Sequence, residues 1–391
     1  MVLFLHNRYR TTGGEERVVE DLMTVVRERL GEPAELLMRD SAALAPARAA
    51  AGLLRGGLDP GAVAAAVRRD GARIVHAHNL LPAFGWRSLA AAREAGARVV
   101  LHLHQYRLVC AVGVCFTSGE ECTRCHGQNT LPGVVRNCRG NRAEALAYGA
   151  ALALWQRRVT ALADVVVVPS RFAARRLQEL GAPLPRGVRV LAPPVDPVPA
   201  GQAPAPEPDE RGYALVVSRL APEKGVDVAI DACRIAGIPL RIAGDGPERD
   251  ALVARAAGAD VRFLGSVGDR DLGTLRAGAA IALAPSRSAE TFGIAAAEAM
   301  AAGLPVAASA VGALPELLEP EALVAPGDPR ALAEAIGRLK ADRKAGERGR
   351  ARVGELCSPD AVARRLRTIY EEALAEREEA VTVDAAAGDP S

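Results

Sequence analysis

A regular alternation restricts the fold of this chain more than any other feature. Short continuous apolar runs are separated by segments of helical length and period. Val2–Leu5, Glu35–Met38, Arg73–Ala77, Arg98–Leu103, Val165–Val168 and Val188–Leu191 read as strands. Glu15–Leu30, Pro60–Arg69 and Trp86–Ala95 between them read as helices. Four consecutive valines at 165–168 suit a strand buried on both faces, as in a parallel sheet. Strand–helix alternation of this kind predicts a doubly wound α/β domain.

The pattern breaks from Pro193 to Pro208, where prolines recur with Ala and Gly, and then restarts. Tyr213–Val217, Leu240–Ala243, Val261–Leu264, Ile281–Ala284, Pro305–Ala308 and Leu323–Val324 read as a second set of strands. A chain of 391 residues is long enough for two domains. We place the first at 1–195, with a cysteine-containing loop at 110–138, a Pro-rich linker at 196–212 and the second domain at 213–360. A helix over 361–380 is expected to return to the first domain, and a disordered tail is expected at 381–391. Two α/β domains on a Pro-rich hinge predict a cleft, with ligands beyond the carboxyl ends of the strands.

The 49 basic and 47 acidic residues nearly cancel, which argues against a general nucleic-acid-binding chain. Aromatic residues make up only 3%, leaving few stacking platforms for single strands. The opening Val-Leu-Phe-Leu run is too short for a signal-peptide core, and no run of about 18 apolar residues is present. Ala145–Leu154, closed by Gln156, Arg157 and Arg158, reads as a buried or interfacial helix, which leaves peripheral membrane contact open. Seven cysteines, five of them within 110–138, do not resemble a secreted disulfide scaffold, so a cytoplasmic location is expected.

The segment 286–298, Ser-Arg-Ser-Ala-Glu-Thr-Phe-Gly-Ile-Ala-Ala-Ala-Glu, carries the strongest chemical signal. It follows a strand and opens a helix near Gly293, placing Glu290 in the loop and Glu298 in the second helical turn. Eight residues of helical rise would be about 12 Å, so the two carboxylates can serve opposite ends of an extended ligand. The free N–H groups of Phe292, Gly293 and Ile294 suit a phosphate. Two solvated glutamates on a surface helix are the blander alternative. Arg219 and Lys224, in Ser218-Arg-Leu-Ala-Pro-Glu-Lys-Gly225, leave the end of another strand and suit a pyrophosphate. Gly244-Asp245-Gly246-Pro247 is a turn that can face phosphate or ribose. Gly13-Gly14 at the first helix start permits close approach to an anion, but lacks the spacing of a dinucleotide fingerprint.

His76, His78, His102 and His104 fall as alternating pairs at two strand ends. Metal binding is one reading of them; core packing is the blander one for His76 and His102. His104 stands last before the loop Gln105-Tyr106-Arg107. Cys122-Thr-Arg-Cys125 has the spacing of a zinc knuckle, flanked by Cys110 and Cys138, with Cys115 nearby. A structural zinc on Cys110, Cys122, Cys125 and Cys138 is the working expectation; buried thiols and a disulfide or redox role are the alternatives.

Together, Glu290-x7-Glu298, Arg219 and Lys224, the 244–247 turn and Gly13-Gly14 resemble the retaining glycosyltransferases of family 4. The resemblance extends over about residues 1–375. Val167-Val168-Pro169-Ser170-x-Phe172 is similar to a family segment near the domain junction. The segment from His104 to Cys110, with Cys122 and Cys125, is similar to a subgroup with a cysteine loop, although Gln105 and Ala111 depart from its pattern. The resemblance implies a GT-B fold of two Rossmann-like domains facing a cleft, and hexosyl transfer from a UDP- or GDP-linked sugar to a hydroxyl acceptor. It implies that Glu298 holds the ribose, Glu290 the transferred sugar, and Arg219, Lys224 and the amides at 292–294 the diphosphate. Gly244 and Asp245 would line the same donor site, and His104 would reach the sugar from the first domain. Cations and a helix terminus would stabilise the leaving group without a metal cofactor, with attack on the same face. Composition fits a high-GC bacterial source and an acceptor in cell-surface glycan or secondary metabolism. A nicotinamide-dependent oxidoreductase and a non-catalytic zinc-loop adaptor are the rival classes. The first would need a glycine fingerprint followed by an acidic residue, a pair that neither domain supplies.

Overall fold

The computed structural model describes residues 1–9, 14–196, 212–342 and 344–386. The chain forms two compact units. Residues 1–114, 123–194 and the chain from Pro359 onward make the first, and 115–122 with 195–358 make the second. Gly13 and most of the Pro-rich stretch lie outside the described residues.

The strands in chain order are β1 (Val2–Arg8), β2 (Ala34–Asp40), β3 (Ile74–Ala77), β4 (Arg98–His102), the short antiparallel pair β5 (Phe116–Thr117) and β6 (Glu120–Glu121), β7 (Val165–Val168) and β8 (Arg189–Val190). The first unit's sheet runs β2-β1-β3-β4-β7-β8 with every pair parallel. Alternation along the strands gives its two faces different jobs. Leu3, Leu5, Val75, Val99 and Leu101 pack with Val63, Phe84 and Leu89 from the helices Pro60–Asp70 and Gly85–Glu94. Phe4, His76 and His102 point to the other face, where the C-terminal helix Pro359–Ala386 packs on β4, β7 and the helix Gly14–Arg29.

That last helix reaches Ala386, so the expected disordered tail from Val381 is helical as far as it is described. The run Glu371-Glu-Ala-Leu-Ala-Glu-Arg-Glu-Glu-Ala380 consists of strong helix formers, enough to carry the helix past 380. The apolar stretch 145–154 belongs to a longer helix, Arg142–Ala161, capped by the Asn141 side chain on the Glu144 amide.

In the second unit β9 (Tyr213–Val217), β10 (Leu240–Ala243), β11 (Val261–Gly265), β12 (Ala279–Ala284), β13 (Val306–Ser309) and β14 (Leu323–Val324) form a parallel sheet in the order β11-β10-β9-β12-β13-β14. This is the Rossmann order, whereas the first sheet follows the flavodoxin-like order with an added strand. Each order reverses direction once: between β9 and β12 here, and between β1 and β3 in the first unit. The carboxyl ends of those strand pairs are where α/β sheets bind ligands.

Candidate functional site

At the second unit's reversal point, the loops leaving β9 and β12 are clamped together. After β9 the chain turns through the short 3₁₀ segment Pro222–Lys224 and reaches Gly225 at φ +62°. A Cβ there would lie 2.1 Å from the carbonyl oxygen of Pro285, the residue just after β12, so a side chain is excluded by fixed backbone. The Arg287 amide donates to the Glu223 carbonyl at 2.8 Å, and the Arg287 guanidinium holds Asp227 with two bonds of 2.6 Å. This double attachment carries Lys224 to the β12 loop.

There Lys224 Nζ donates to Glu290 Oε1 at 2.6 Å, and the Ser286 hydroxyl donates to the same oxygen at 2.7 Å. Burial alone would raise the Glu290 carboxyl, but the Lys224 charge and these two hydrogen bonds outweigh it, so the group ionises below its ordinary 4.5. The Glu290 backbone is fixed from the other side. Its carbonyl accepts from the Ala313 amide at 2.8 Å, beside Gly312, where a Cβ would strike Glu290 backbone atoms at 2.3 Å.

Beyond Glu290 the chain passes buried Phe292 and Gly293 and enters the helix Ile294–Ala301. The first amides of that helix have no intrahelical acceptor. Glu298, one turn in, is ion-paired with the buried Arg276 of the helix Asp269–Gly278. Arg219 is half exposed and pairs with buried Glu223 four residues on. The 244–247 turn is tied to the β9 loop: Leu220 donates to the Asp245 carbonyl at 2.9 Å, while the Asp245 side chain accepts from the Gly246 amide at 2.7 Å.

The structure thus brings Lys224 and Glu290 into direct contact, keeps Arg219 and the 244–247 turn on the adjoining loop, and places Glu298 along the following helix. Sequence reading missed Arg276, Glu223, Asp227 and Ser286. Ser286 lies inside the 286–298 segment and was open to notice. The other three are ordinary charged residues whose partners are 4 to 60 positions away.

The first unit's reversal point has a different make-up. Gly14 opens the helix Gly14–Arg29, and Glu15 lies buried behind it. Burial holds its carboxyl above the ordinary range although the Tyr9 hydroxyl donates to it at 2.7 Å. Gln105 Nε2 also donates to Glu15, at 3.2 Å. His104 Nε2 meets His78 Nδ1 at 2.7 Å, and burial, with the His6 charge, lowers the His104 imidazole to about 3. At neutral pH it is an uncharged ring.

Among the described residues the one group of three or more ligand-bearing side chains at metal-binding spacing is His76, His78 and His102, and Cys110, Cys125 and Cys138 of the same unit form no such group. At and around the loop Tyr106, Val109 and Cys115 are buried, and the Thr130 hydroxyl donates to the Gly149 carbonyl at 2.7 Å.

Residues 2–194 match a family model described as a glycosyl transferase 4-like domain, and residues 201–354 match one described as glycosyl transferases group 1. The chain belongs to the family-4 type of glycosyltransferases. It is 34% identical over 168 residues to an MMP α-(1→4)-mannosyltransferase of Mycolicibacterium hassiacum, a match covering 41% of this chain and 38% of that relative's length. The chain therefore spans well under half of that relative. Sucrose-phosphate synthase from Thermosynechococcus elongatus has the same fold, with a TM-score of 0.70 at 20% identity over 96% of this chain and 99% of that one. So does Anabaena HepE in complex with UDP-glucose, with a TM-score of 0.63 at 18% identity over 95% of this chain and 99% of that one. Among the described residues no helix is long and apolar enough to cross a membrane.

Proposed function

We propose that this glycosyltransferase moves a sugar from a nucleoside-diphosphate sugar to a hydroxyl acceptor with retention of anomeric configuration. The observation that carries this reading is the Lys224–Glu290–Ser286 contact at the reversal point of a Rossmann-ordered sheet, directly before a helix N-terminus. Lys224 is held at the β12 loop by the clamped loops, where it can exchange part of its contact with Glu290 for an anionic diphosphate. Negative charge on the departing diphosphate grows as the glycosidic bond breaks, and a fixed ammonium and helix-start amides then stabilise the transition state more than the ground state.

Glu290, kept ionised by Lys224, is an acceptor-only carboxylate and suits hydroxyl groups of the transferred sugar. Glu298, oriented by Arg276, suits the two ribose hydroxyls. Arg219 is close enough along the chain to serve the diphosphate after release from Glu223. His104, an uncharged imidazole with Nε2 engaged by His78, has Nδ1 left for a sugar hydroxyl. The departing phosphate oxygen takes the acceptor proton in this scheme, so no carboxylate nucleophile is required. Complexes of structural relatives with UDP and UDP-glucose support a nucleotide-sugar donor.

The test is incubation of the protein with a panel of UDP- and GDP-sugars and simple hydroxyl acceptors, following nucleoside diphosphate release and the anomeric proton of the product. Release of diphosphate with an α-product from an α-donor is expected. An inverted product would contradict retention, and absence of release from every donor would contradict transfer itself.

A further inference from the structure

Three histidines that the transfer chemistry leaves unused sit together beneath the first unit's sheet end. His76, His78 and His102 are buried, and each can place one ring nitrogen within 4.8 Å of the nitrogens of the other two. Their rings lie 4.5 to 5.4 Å apart, centroid to centroid. The hydrogen bonding divides the ring atoms into two sets. His76 Nδ1 is bonded to the Tyr370 hydroxyl at 2.8 Å, and His78 Nδ1 to His104 Nε2 at 2.7 Å. By contrast, His76 Nε2, His78 Nε2 and His102 Nδ1 are buried with no hydrogen-bond partner.

Three orphaned nitrogens in one buried place are unusual, since buried polar atoms are almost always satisfied. A metal ion would satisfy all three. In metal sites the ligating imidazole commonly engages its other nitrogen with an outer partner that fixes tautomer and orientation; Tyr370 and His104 hold those positions for His76 and His78. We propose that His76, His78 and His102 bind one late first-row divalent cation of the Zn2+ kind, which imidazole ligands suit. The bonds to such an ion are about 2.0–2.1 Å, so the nitrogens must draw closer than 4.8 Å and the stacked rings must turn. Rotation about χ2 of histidine is soft enough to allow this. Glu15 and Glu16, 4.0 and 3.7 Å from the ring nitrogens of His6, bring negative charge into the same region, with the His6 ring 6.5 Å from that of His78.

The site differs from the thiolate site expected from the sequence, and it stands or falls independently of glycosyl transfer. The test uses the tag-free full chain, stripped with chelator, reloaded with Zn2+ or Co2+ alone and freed of excess metal. About one equivalent of zinc per chain is expected by elemental analysis. The cobalt form should show ligand-field bands without thiolate charge-transfer absorption. His102→Gln should lower zinc affinity at least tenfold, while the Cys122→Ser/Cys125→Ser double variant should keep it. Less than about a tenth of an equivalent on the parent chain, thiolate absorption in the cobalt form, or loss of metal in the cysteine variant would each overturn the proposal. The parent-chain stoichiometry and the cobalt spectrum decide the matter even where His102→Gln does not fold.

Discussion

The two units present chemistry at the same place in their sheets but with opposite electrostatics. In the second, the charged groups are already paired: Lys224 with Glu290, Arg276 with Glu298, Arg219 with Glu223, Arg287 with Asp227. In the first, the corresponding strand ends carry buried, uncharged imidazoles stacked on one another, with nitrogens left unpartnered. The difference shows what each can do. A site of balanced ion pairs can take in an anionic ligand by exchanging partners, because its cations are held in place without being desolvated alone. A site of neutral rings binds through lone pairs and N–H groups, and burying it costs far less than burying isolated charge.

The comparison breaks most readily at Lys224. Lys224→Ala should lower kcat/KM for the donor by about 10²–10³, with turnover falling as well as KM rising. Steady-state kinetics at saturating acceptor would check this; a change in KM alone would make Lys224 a uniform binding group. A smaller effect is expected from the clamp that positions it. Gly225→Ala forces a side chain onto left-handed backbone and against the Pro285 carbonyl, and should destabilise the second unit by about 1–3 kcal/mol. Chemical denaturation would show it, and unchanged stability would mean that the two loops are not rigidly joined.

The smallest expected effect is in the pH dependence of stability. Glu290 ionises below its ordinary value in the folded chain, so its contribution is complete above about 4.5 and is lost as pH falls through the lower folded value. Glu290→Gln should flatten the acid limb of the stability curve, and an acid limb identical in parent and variant would remove the Lys224 ion pair from the account.

Much of this was legible beforehand because it depends on local pattern. Runs such as Val165–Val168 announce a buried strand, and a glycine following Glu290 at a strand–helix junction announces an anion-facing turn. What could not be read was pairing at long range. Nothing in the 286–298 segment says that Lys224, 66 residues earlier, bonds to Glu290, because that contact depends on which strands neighbour each other in the sheet. The same limit applies to the histidines. Cysteines close in sequence advertise a site, whereas His76 and His102 become neighbours only once β3 and β4 pair.

The most direct test of the central claim, that the second unit's charged site binds the nucleoside diphosphate portion of a donor, is calorimetric titration of UDP and GDP into the parent protein and Glu298→Gln. The substitution preserves side-chain size but weakens acceptor strength toward the ribose hydroxyls. The account predicts one site per chain for one of the two nucleotides, with affinity weakened by about 1–3 kcal/mol in the variant, the range for losing a charge-assisted hydrogen bond. Equal affinity in parent and variant, or no binding of either nucleotide by the parent, would contradict it.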